Sequence, residues 1–143
     1  MLRGLATISY WADDVAEARR WYTELLGVEP YFDRQGPGGR LAYTEFRVGD
    51  HQAELGIIDS AWSPHGRERG GVVAYWHVDD VRAAYERLLA MGAKEHEQIT
   101  ERGEGFVTAS VVDPFGNILG VMHNPHYLEQ AEATGRGPGA GRP

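Results

Sequence analysis

The stretch Asp113-Pro114-Phe115-Gly116-Asn117-Ile118-Leu119-Gly120-Val121 combines a tight turn with the start of a strand. Proline presets φ at the second turn position, glycine accepts positive φ, and Asp and Asn side chains hydrogen-bond nearby backbone groups. Two apolar runs flank the turn, Phe106–Val112 before it and Ile118–Met122 after it. The stretch therefore predicts a hairpin between two strands.

This turn belongs to the second copy of an internal repeat. Trp11-Ala12-Asp13-Asp14-Val15 matches His77-Val78-Asp79-Asp80-Val81, an offset of 66 positions from residue 11 to residue 77. Each copy opens a helical pattern that ends at a glycine, Gly27 in the first copy and Gly92 in the second. We therefore predict a module of one strand, one helix and further strands that occurs twice.

The first strand of each copy has two different faces, because successive side chains alternate across a strand. We expect these strands at 5–12 and 71–78. The more polar face carries Thr7, Ser9 and Trp11 in the first copy and Val73, Tyr75 and His77 in the second. The opposite faces are apolar and match the apolar stripes of the helices. The polar faces are thus left to line a cavity.

The remaining segments predict three further strands in each copy. In the first copy, Val28–Arg34 is an edge strand because Pro30 lacks an N–H group, and Leu41–Val48 pairs with Gln52–Ile58. In the second copy, the charged segment Lys94–Glu101 is the edge strand, and it is followed by the hairpin around the turn Asp113–Asn117.

These patterns divide the chain into modules at 1–58 and 71–124, with a linker loop at 59–70. Residues 125–143 form a polar tail rich in Gly and Pro, whose last nine residues we expect to be disordered. The dipeptide Asn124-Pro125 argues against a helix at the start of this tail, because the residue before a proline avoids helical φ and ψ.

Composition excludes several function classes. The 143 residues include no cysteine, which excludes a disulfide framework, a thiol nucleophile and a thiolate metal site. The formal net charge of −7 argues against nucleic acid as a partner, because that binding needs a basic patch. We expect neither a signal peptide nor a membrane segment, and a cytoplasmic protein.

The motifs resemble one known family. Asp14-Val15 with Trp21–Gly27, the segment Val78–Val81 and the turn Asp113–Asn117 are similar to the vicinal oxygen chelate superfamily, also described as glyoxalase / bleomycin resistance protein / extradiol dioxygenase, over roughly residues 5–124. The resemblance implies an α+β fold of two βαβββ modules that form a cupped mixed sheet, and a homodimer. It implies no single reaction, because this fold hosts isomerases, dioxygenases, thiol transferases and binding proteins.

The resemblance also locates a metal site to be tested. Metal-dependent members use inward side chains from the first and last strands of each module, typically His, Glu, His and Glu. Those positions fall on Thr7, Glu54, Val73 and Gly120, of which Glu54 alone matches. Zn, Mn and Fe sites require three or more protein ligands. We therefore predict a degenerate site with no metal and no other cofactor.

Two titratable residues are candidates for the chemistry of the site. Glu54 is costly to bury without a partner, so it either contacts a ligand, acts as a general base, or remains from the family site in an ion pair with Arg47 or another residue. His77 shares a face with Tyr75, so it either lines the mouth of the cavity or has a structural role.

Aromatic and hydroxyl side chains on the polar faces suit a planar organic ligand, and a nearby carboxylate favours a cationic one. The rings available are Trp11, Tyr43 and Tyr75, with Trp62 and Phe106 as further candidates. We predict that the ligand is bound by Thr7, Ser9, Trp11, Glu54, Tyr75 and His77.

Three functions are consistent with these residues. The first is a metal-free protein that binds a small organic, cationic aromatic ligand. The second is a metal-independent isomerase or hydrolase that uses Glu54 and His77 for acid–base chemistry. The third is a metal-dependent glyoxalase or dioxygenase, a lyase or oxidoreductase, whose ligands lie elsewhere. Because the sequence shows no nucleophile–base pair and no oxyanion motif, we rank binding before catalysis.

Overall fold

The computed structural model describes residues 6–63 and 73–135 of the chain. The chain divides into two compact units, Met1–Gly70 with Phe115–Asn117 and Gly71–Pro114 with Ile118–Pro143. Within the described residues, each unit runs as a strand, a helix and three further strands, and its four strands form one mixed sheet. This arrangement confirms the predicted pair of βαβββ modules.

The first unit contains β1 (Thr7–Ala12), α1 (Val15–Leu26), β2 (Phe32–Gln35), β3 (Leu41–Val48) and β4 (Ala53–Asp59). Its sheet has the order β1-β4-β3-β2, in which β1 is parallel to β4 and the other pairs are antiparallel. Short 3-10 turns follow β2 at Pro37–Gly39 and β4 at Ser60–Trp62.

Helix α1 begins and ends as its sequence predicts. The side chain of Asp14 accepts a hydrogen bond from the backbone N–H of Glu17 at 2.9 Å, and Gly27 ends the helix with a φ of 67°. Tyr22 is fully buried and contacts the ring of Tyr10 with centroids 6.0 Å apart. These contacts seat α1 on one face of the first sheet, where Phe46 of β3 is also fully buried.

The second unit contains β5 (Ala74–His77), α2 (Val81–Ala90), β6 (Lys94–Gly103), β7 (Phe106–Val112), β8 (Ile118–His123) and α3 (Pro125–Ala133). Its sheet has the order β5-β8-β7-β6, with β5 parallel to β8. Helix α2 starts at an Asp80 cap, and its Tyr85 hydroxyl donates to Glu95 of β6 at 2.6 Å. Burial, reinforced by that carboxylate, raises the pKa of Tyr85 to about 12.

Two edge strands differ in extent from the prediction. Strand β2 begins at Phe32 rather than Val28, so Pro30 lies before the strand instead of within it. Strand β6 continues to Gly103, and the register of its pairing with β7 shifts at several positions. Part of the predicted linker, residues 64–70, lies outside the described residues.

The repeat does not keep one offset throughout. Paired residues form equivalent rows across the two sheets, namely Ser9–Gly56–Glu45 in the first and Tyr75–Gly120–Ser110 in the second. By this register Gly120 corresponds to Gly56, so its expected equivalence with Glu54 is wrong by two residues. The second module has two fewer residues than the first between the start of its helix and this glycine. A repeat aligned on the helix starts therefore misplaces the last strand by two residues.

The segment after β8 was also wrongly predicted as non-helical. Asn124 is extended and caps α3, with its side chain accepting hydrogen bonds from the N–H groups of His126 and Tyr127. Pro125 occupies the first helical position, where its missing N–H costs nothing. The prolyl restriction on Asn124 therefore marks the start of a helix. Residues 136–143, which include most of the segment predicted to be disordered, lie outside the described residues.

No helix in the described ranges is long and apolar enough to cross a membrane.

The turn Asp113–Asn117 contributes a contact to the first unit. The side chain of Asn117 accepts a hydrogen bond from the Trp11 backbone N–H at 2.8 Å and donates one to the Trp11 carbonyl at 2.7 Å. Because β1 is the outer strand of its sheet, these two bonds satisfy backbone groups that no neighbouring strand pairs. Phe115, in the same turn, meets the ring of Trp21 edge-on.

We predict that Asn117→Ala lowers the free energy of unfolding by about 1–3 kcal/mol, because it removes both bonds and leaves two partly buried backbone groups unpaired. Urea denaturation followed by tryptophan fluorescence measures the change. Gln35→Ala, which removes an exposed amide on the opposite edge strand, is the matched control and should have little effect. Equal stability of the two variants would contradict this account.

Candidate functional site

The side of the first sheet opposite α1, here called the helix-free face, carries most of the residues predicted to bind a ligand. Strand register places Thr7 beside Glu54, Ser9 beside Gly56 and Trp11 beside Ile58. Strand β3 adds three residues to the same face, in register with those of β4: Tyr43, Glu45 and Arg47. Register between β1 and β4 therefore places Thr7, Ser9, Trp11 and Glu54 on the same face.

Glu54 is paired on this face. Arg47 stands directly opposite it on β3, and the Arg47 guanidinium lies 3.0 Å from the Glu54 Oε1 atom. The pair is partly exposed, with 44% of the Arg47 side chain and 31% of the Glu54 side chain accessible. Of the partners that the sequence left open for Glu54, the structure supplies Arg47.

A second carboxylate lies near Glu54. The Tyr43 hydroxyl donates to Glu45, and the Tyr43 ring lies across Gly56, where an added Cβ atom would stand 2.8 Å from that hydroxyl. A side chain at position 56 would displace the ring. Burial, then repulsion from Glu54, raises the pKa of Glu45, and Arg47 opposes the increase. Burial and Glu54 also raise the pKa of Tyr43, against an opposing effect of Arg34.

Strand β1 supplies the hydrogen-bonding groups of the face. The Thr7 hydroxyl is exposed and donates to the Glu54 carbonyl at 3.4 Å. The indole N–H of Trp11 is shielded from solvent, and none of the described residues accepts its hydrogen bond. A shielded donor of this kind calls for an acceptor, because leaving it unpaired is costly.

Tyr75 occupies the corresponding face of the second sheet. Its ring lies over Gly120, where an added Cβ atom would stand 2.6 Å from a ring carbon. Its hydroxyl donates to Glu97 at 3.3 Å, and Glu97 is also bonded by Arg102. Burial and the Glu97 carboxylate raise the pKa of Tyr75. A tyrosine over a glycine of the last strand is thus present in both sheets.

His77 is held by the segment that follows β8. Its Nδ1 atom accepts a hydrogen bond from the Asn124 backbone N–H at 3.2 Å, and its ring stacks on Tyr127 at 4.5 Å with an interplanar angle of 12°. The accepting Nδ1 places the ring proton on Nε2, which lies 3.7 Å from an Asp79 carboxylate oxygen. The His77 side chain is 9% exposed.

The donor set at the inherited metal positions is poor. Thr7 and Glu54 lie side by side in the first unit. In the second unit, the positions are Val73 and Gly120, or Ile118 if strand register rather than the repeat offset is followed, and none of these three carries a metal-binding side chain. Glu54 is already paired with Arg47. Across residues 6–63 and 73–135, no group of three or more His, Asp or Glu side chains is arranged to hold a metal ion. These residues do not fit a divalent metal ion.

The sequence reasoning missed Glu45 as a member of the site. Its signal is the alternation of β3, which places Tyr43, Glu45 and Arg47 at every second position. The turn between β3 and β4 then sets Arg47 opposite Glu54, so a register derived from the hairpin would have found the whole cluster.

We predict that Glu45→Gln raises the free energy of unfolding at neutral pH. A folded-state pKa above the usual value of 4.5 means that ionisation of Glu45 opposes folding once the pH exceeds that value. The gain should be absent below the usual pKa, appear as the pH rises through the folded-state pKa, and persist above it. Urea denaturation at a series of pH values measures it, with Glu24→Gln on α1 as the control. A gain that is independent of pH would contradict the electrostatic cause.

The comparisons with known proteins support the fold. No curated protein sequence matches the chain significantly. A glyoxalase-related enzyme from Fulvimarina pelagi is 21% identical, with a TM-score of 0.67 over 87% of this chain and 90% of that one. A glyoxalase/bleomycin resistance protein from Streptomyces sp. CB03234 is 26% identical, with a TM-score of 0.59 over 82% of this chain and 98% of that one.

TnmS3, an antibiotic binding protein from the same Streptomyces strain, is 24% identical, with a TM-score of 0.61 over 84% of this chain and 94% of that one. At these identities, structural likeness establishes the fold. The family assignment comes from a sequence model that matches residues 4–121, most of the chain. The chain belongs to the Glyoxalase/Bleomycin resistance protein/Dioxygenase superfamily.

Proposed function

We propose that this protein binds a small organic molecule with an aromatic ring and a positive charge, and that the helix-free face of the first sheet is the binding surface. The observation that carries the proposal is the cluster of two carboxylates, Glu45 and Glu54, beside the shielded indole N–H of Trp11. The carboxylates attract a cation, and the indole N–H offers a hydrogen bond to an acceptor on the same ligand.

The rings on this side of the unit suit such a ligand. Tyr43 lies over Gly56, Trp11 shares its face, and Phe32 stands 6.0 Å from Tyr43 between ring centroids. Aromatic walls combined with a few placed polar groups are typical of small-molecule sites. The fold of TnmS3, which is described as an antibiotic binding protein, is consistent with a binding role.

Binding is favoured over acid–base catalysis by the surroundings of the two proposed catalytic groups. Glu54 holds the Arg47 guanidinium, which a cationic ligand can displace but a neutral substrate cannot, and the Nδ1 lone pair of His77 is taken by the Asn124 N–H. A general base needs a free lone pair directed at the substrate. A metal-dependent reaction is disfavoured because the donors at the inherited positions do not fit a metal ion.

We predict that benzylammonium, a simple aromatic cation, binds this face and that Glu54→Gln weakens its binding about tenfold, the loss expected for one charge-assisted contact. Protein NMR titration measures the affinity and locates the perturbed residues. Trp11→Phe, which keeps a ring but removes the indole N–H, should not weaken benzylammonium, because that probe has no acceptor.

Glu24→Gln on α1 changes the net charge equally and is the matched control. The proposal would be overturned if Glu54→Gln left the benzylammonium affinity unchanged. It would also be overturned if the NMR chemical-shift changes were confined to residues away from Trp11, Tyr43 and Glu54. Native mass spectrometry of protein purified without denaturation would identify a co-purified ligand directly.

We also infer that two copies of the chain associate. The segment leading into edge strand β2 exposes three large apolar side chains, Val28, Tyr31 and Phe32. Exposed apolar residues beside an unpaired strand edge are typical of interaction surfaces.

We predict a homodimer at micromolar concentration, measured by sedimentation velocity. Phe32→Glu should shift the equilibrium towards monomer by placing a charge on this edge. The matched control is Leu89→Glu, which places the same charge on an exposed apolar position of α2. A wild-type monomer at that concentration would refute the inference.

A further inference from the structure

Arg47 makes two contacts at once on the helix-free face. Its guanidinium lies 3.0 Å from the Glu54 carboxylate, and its Cζ atom lies 4.7 Å from the centroid of the Tyr31 ring. Tyr31 is itself held in place, because its backbone N–H donates to the Glu45 carbonyl at 3.0 Å. A carboxylate on one side and an aromatic face on the other are the surroundings that protein sites provide for an organic cation.

The position of Arg47 follows from the sheet. Arg47 and Glu54 are directly opposite in the antiparallel β3–β4 pair, where facing side chains interact most closely. The backbone thus places the Arg47 side chain within reach of Glu54. Any ligand that uses the Glu54 carboxylate must share it with this group or replace it.

We propose that Arg47 acts as a built-in competitor, which occupies Glu54 and the Tyr31 ring in the free protein and is displaced by the cationic group of the ligand. The inference rests on the proposed function, because it concerns the same carboxylate. It makes Arg47 a residue that determines specificity. A neutral ligand leaves the ion pair intact, whereas a cationic ligand must bind Glu54 more strongly than Arg47 does.

The exposure of the pair makes displacement feasible. Both side chains are partly accessible, so water screens their attraction and the Arg47 side chain gains freedom when released. The nearby Glu45 strengthens the advantage of an incoming cation. It adds a second negative charge close to Glu54, and its carboxyl group is bonded by the neutral Tyr43 hydroxyl.

Substituting Arg47 tests the inference with two probes of similar shape. Benzylammonium and benzyl alcohol share a ring and a methylene group and differ in charge. Arg47→Gln should strengthen benzylammonium binding about two- to fivefold, the range set by a partly exposed ion pair, and leave benzyl alcohol binding unchanged. Arg20→Gln, on an exposed position of α1 at the other side of the sheet, removes the same charge and is the matched control.

A second readout does not depend on a ligand. Because Arg47 lowers the pKa of Glu45, Arg47→Gln should raise that pKa in an NMR titration, whereas Arg20→Gln should not. Arg47→Lys keeps the charge without the planar group and should give intermediate benzylammonium affinity. These measurements also report whether each variant is folded.

The outcomes separate this inference from the proposed function. If Glu54→Gln weakens benzylammonium binding but Arg47→Gln weakens it too or leaves it unchanged, Arg47 is no competitor, although the proposed function stands. If Arg47→Gln alters the binding of both probes equally, the effect is one of shape and the inference fails. If benzylammonium binds neither wild type nor Arg47→Gln, both proposals fail.

Discussion

The first unit depends on the two hydrogen bonds between the Asn117 side chain and the Trp11 backbone. Strand β1 is the outermost strand of its sheet, so half of its backbone groups have no strand beside them. The Asn117 amide presents a donor and an acceptor in the spacing of a peptide group and bonds to both the N–H and the carbonyl of Trp11. An edge that would otherwise be open to another chain is closed at this point. The same contact fixes the backbone that carries the Trp11 indole onto the helix-free face.

Glycines in the last strand of each sheet impose a second constraint. Gly56 and Gly120 each lie beneath a tyrosine ring that comes within 3 Å of the place where a Cβ atom would be. A residue with a side chain would push the ring outward and separate its hydroxyl from the neighbouring carboxylate, Glu45 in one sheet and Glu97 in the other. The polar groups are therefore positioned by backbone approach as well as by their own bonds. Tyr43 comes from β3 and Tyr75 from β5, so similar geometry arises from different strands.

The sequence predicted which side chains share one face of a strand more accurately than it predicted how the strands pair with one another. Alternation alone placed Thr7, Ser9 and Trp11 on one face, because the period of two is a local property of the strand, whereas Glu54 came from the family resemblance. The correspondence of Gly120 with Glu54 failed because it depends on loop lengths between strands, which no local pattern fixes. Helix α3 was missed for a different reason. Asn124-Pro125 was read as a break, although an extended Asn followed by Pro is also how a capped helix begins.

The alternation of the strands also separates stability from recognition. In β3, Ala42, Thr44 and Phe46 are buried towards α1, whereas the positions between them carry the ring, the carboxylate and the guanidinium of the site. Substitutions on the helix-free face therefore change charge and shape without removing core contacts, provided that no buried group loses its partner. A fold built in this way can retain its core while the chemistry of the other face varies, which is a physical reason why one family includes both enzymes and binding proteins. In this chain, that face carries two carboxylates, Glu45 and Glu54, with Arg47 directly opposite Glu54.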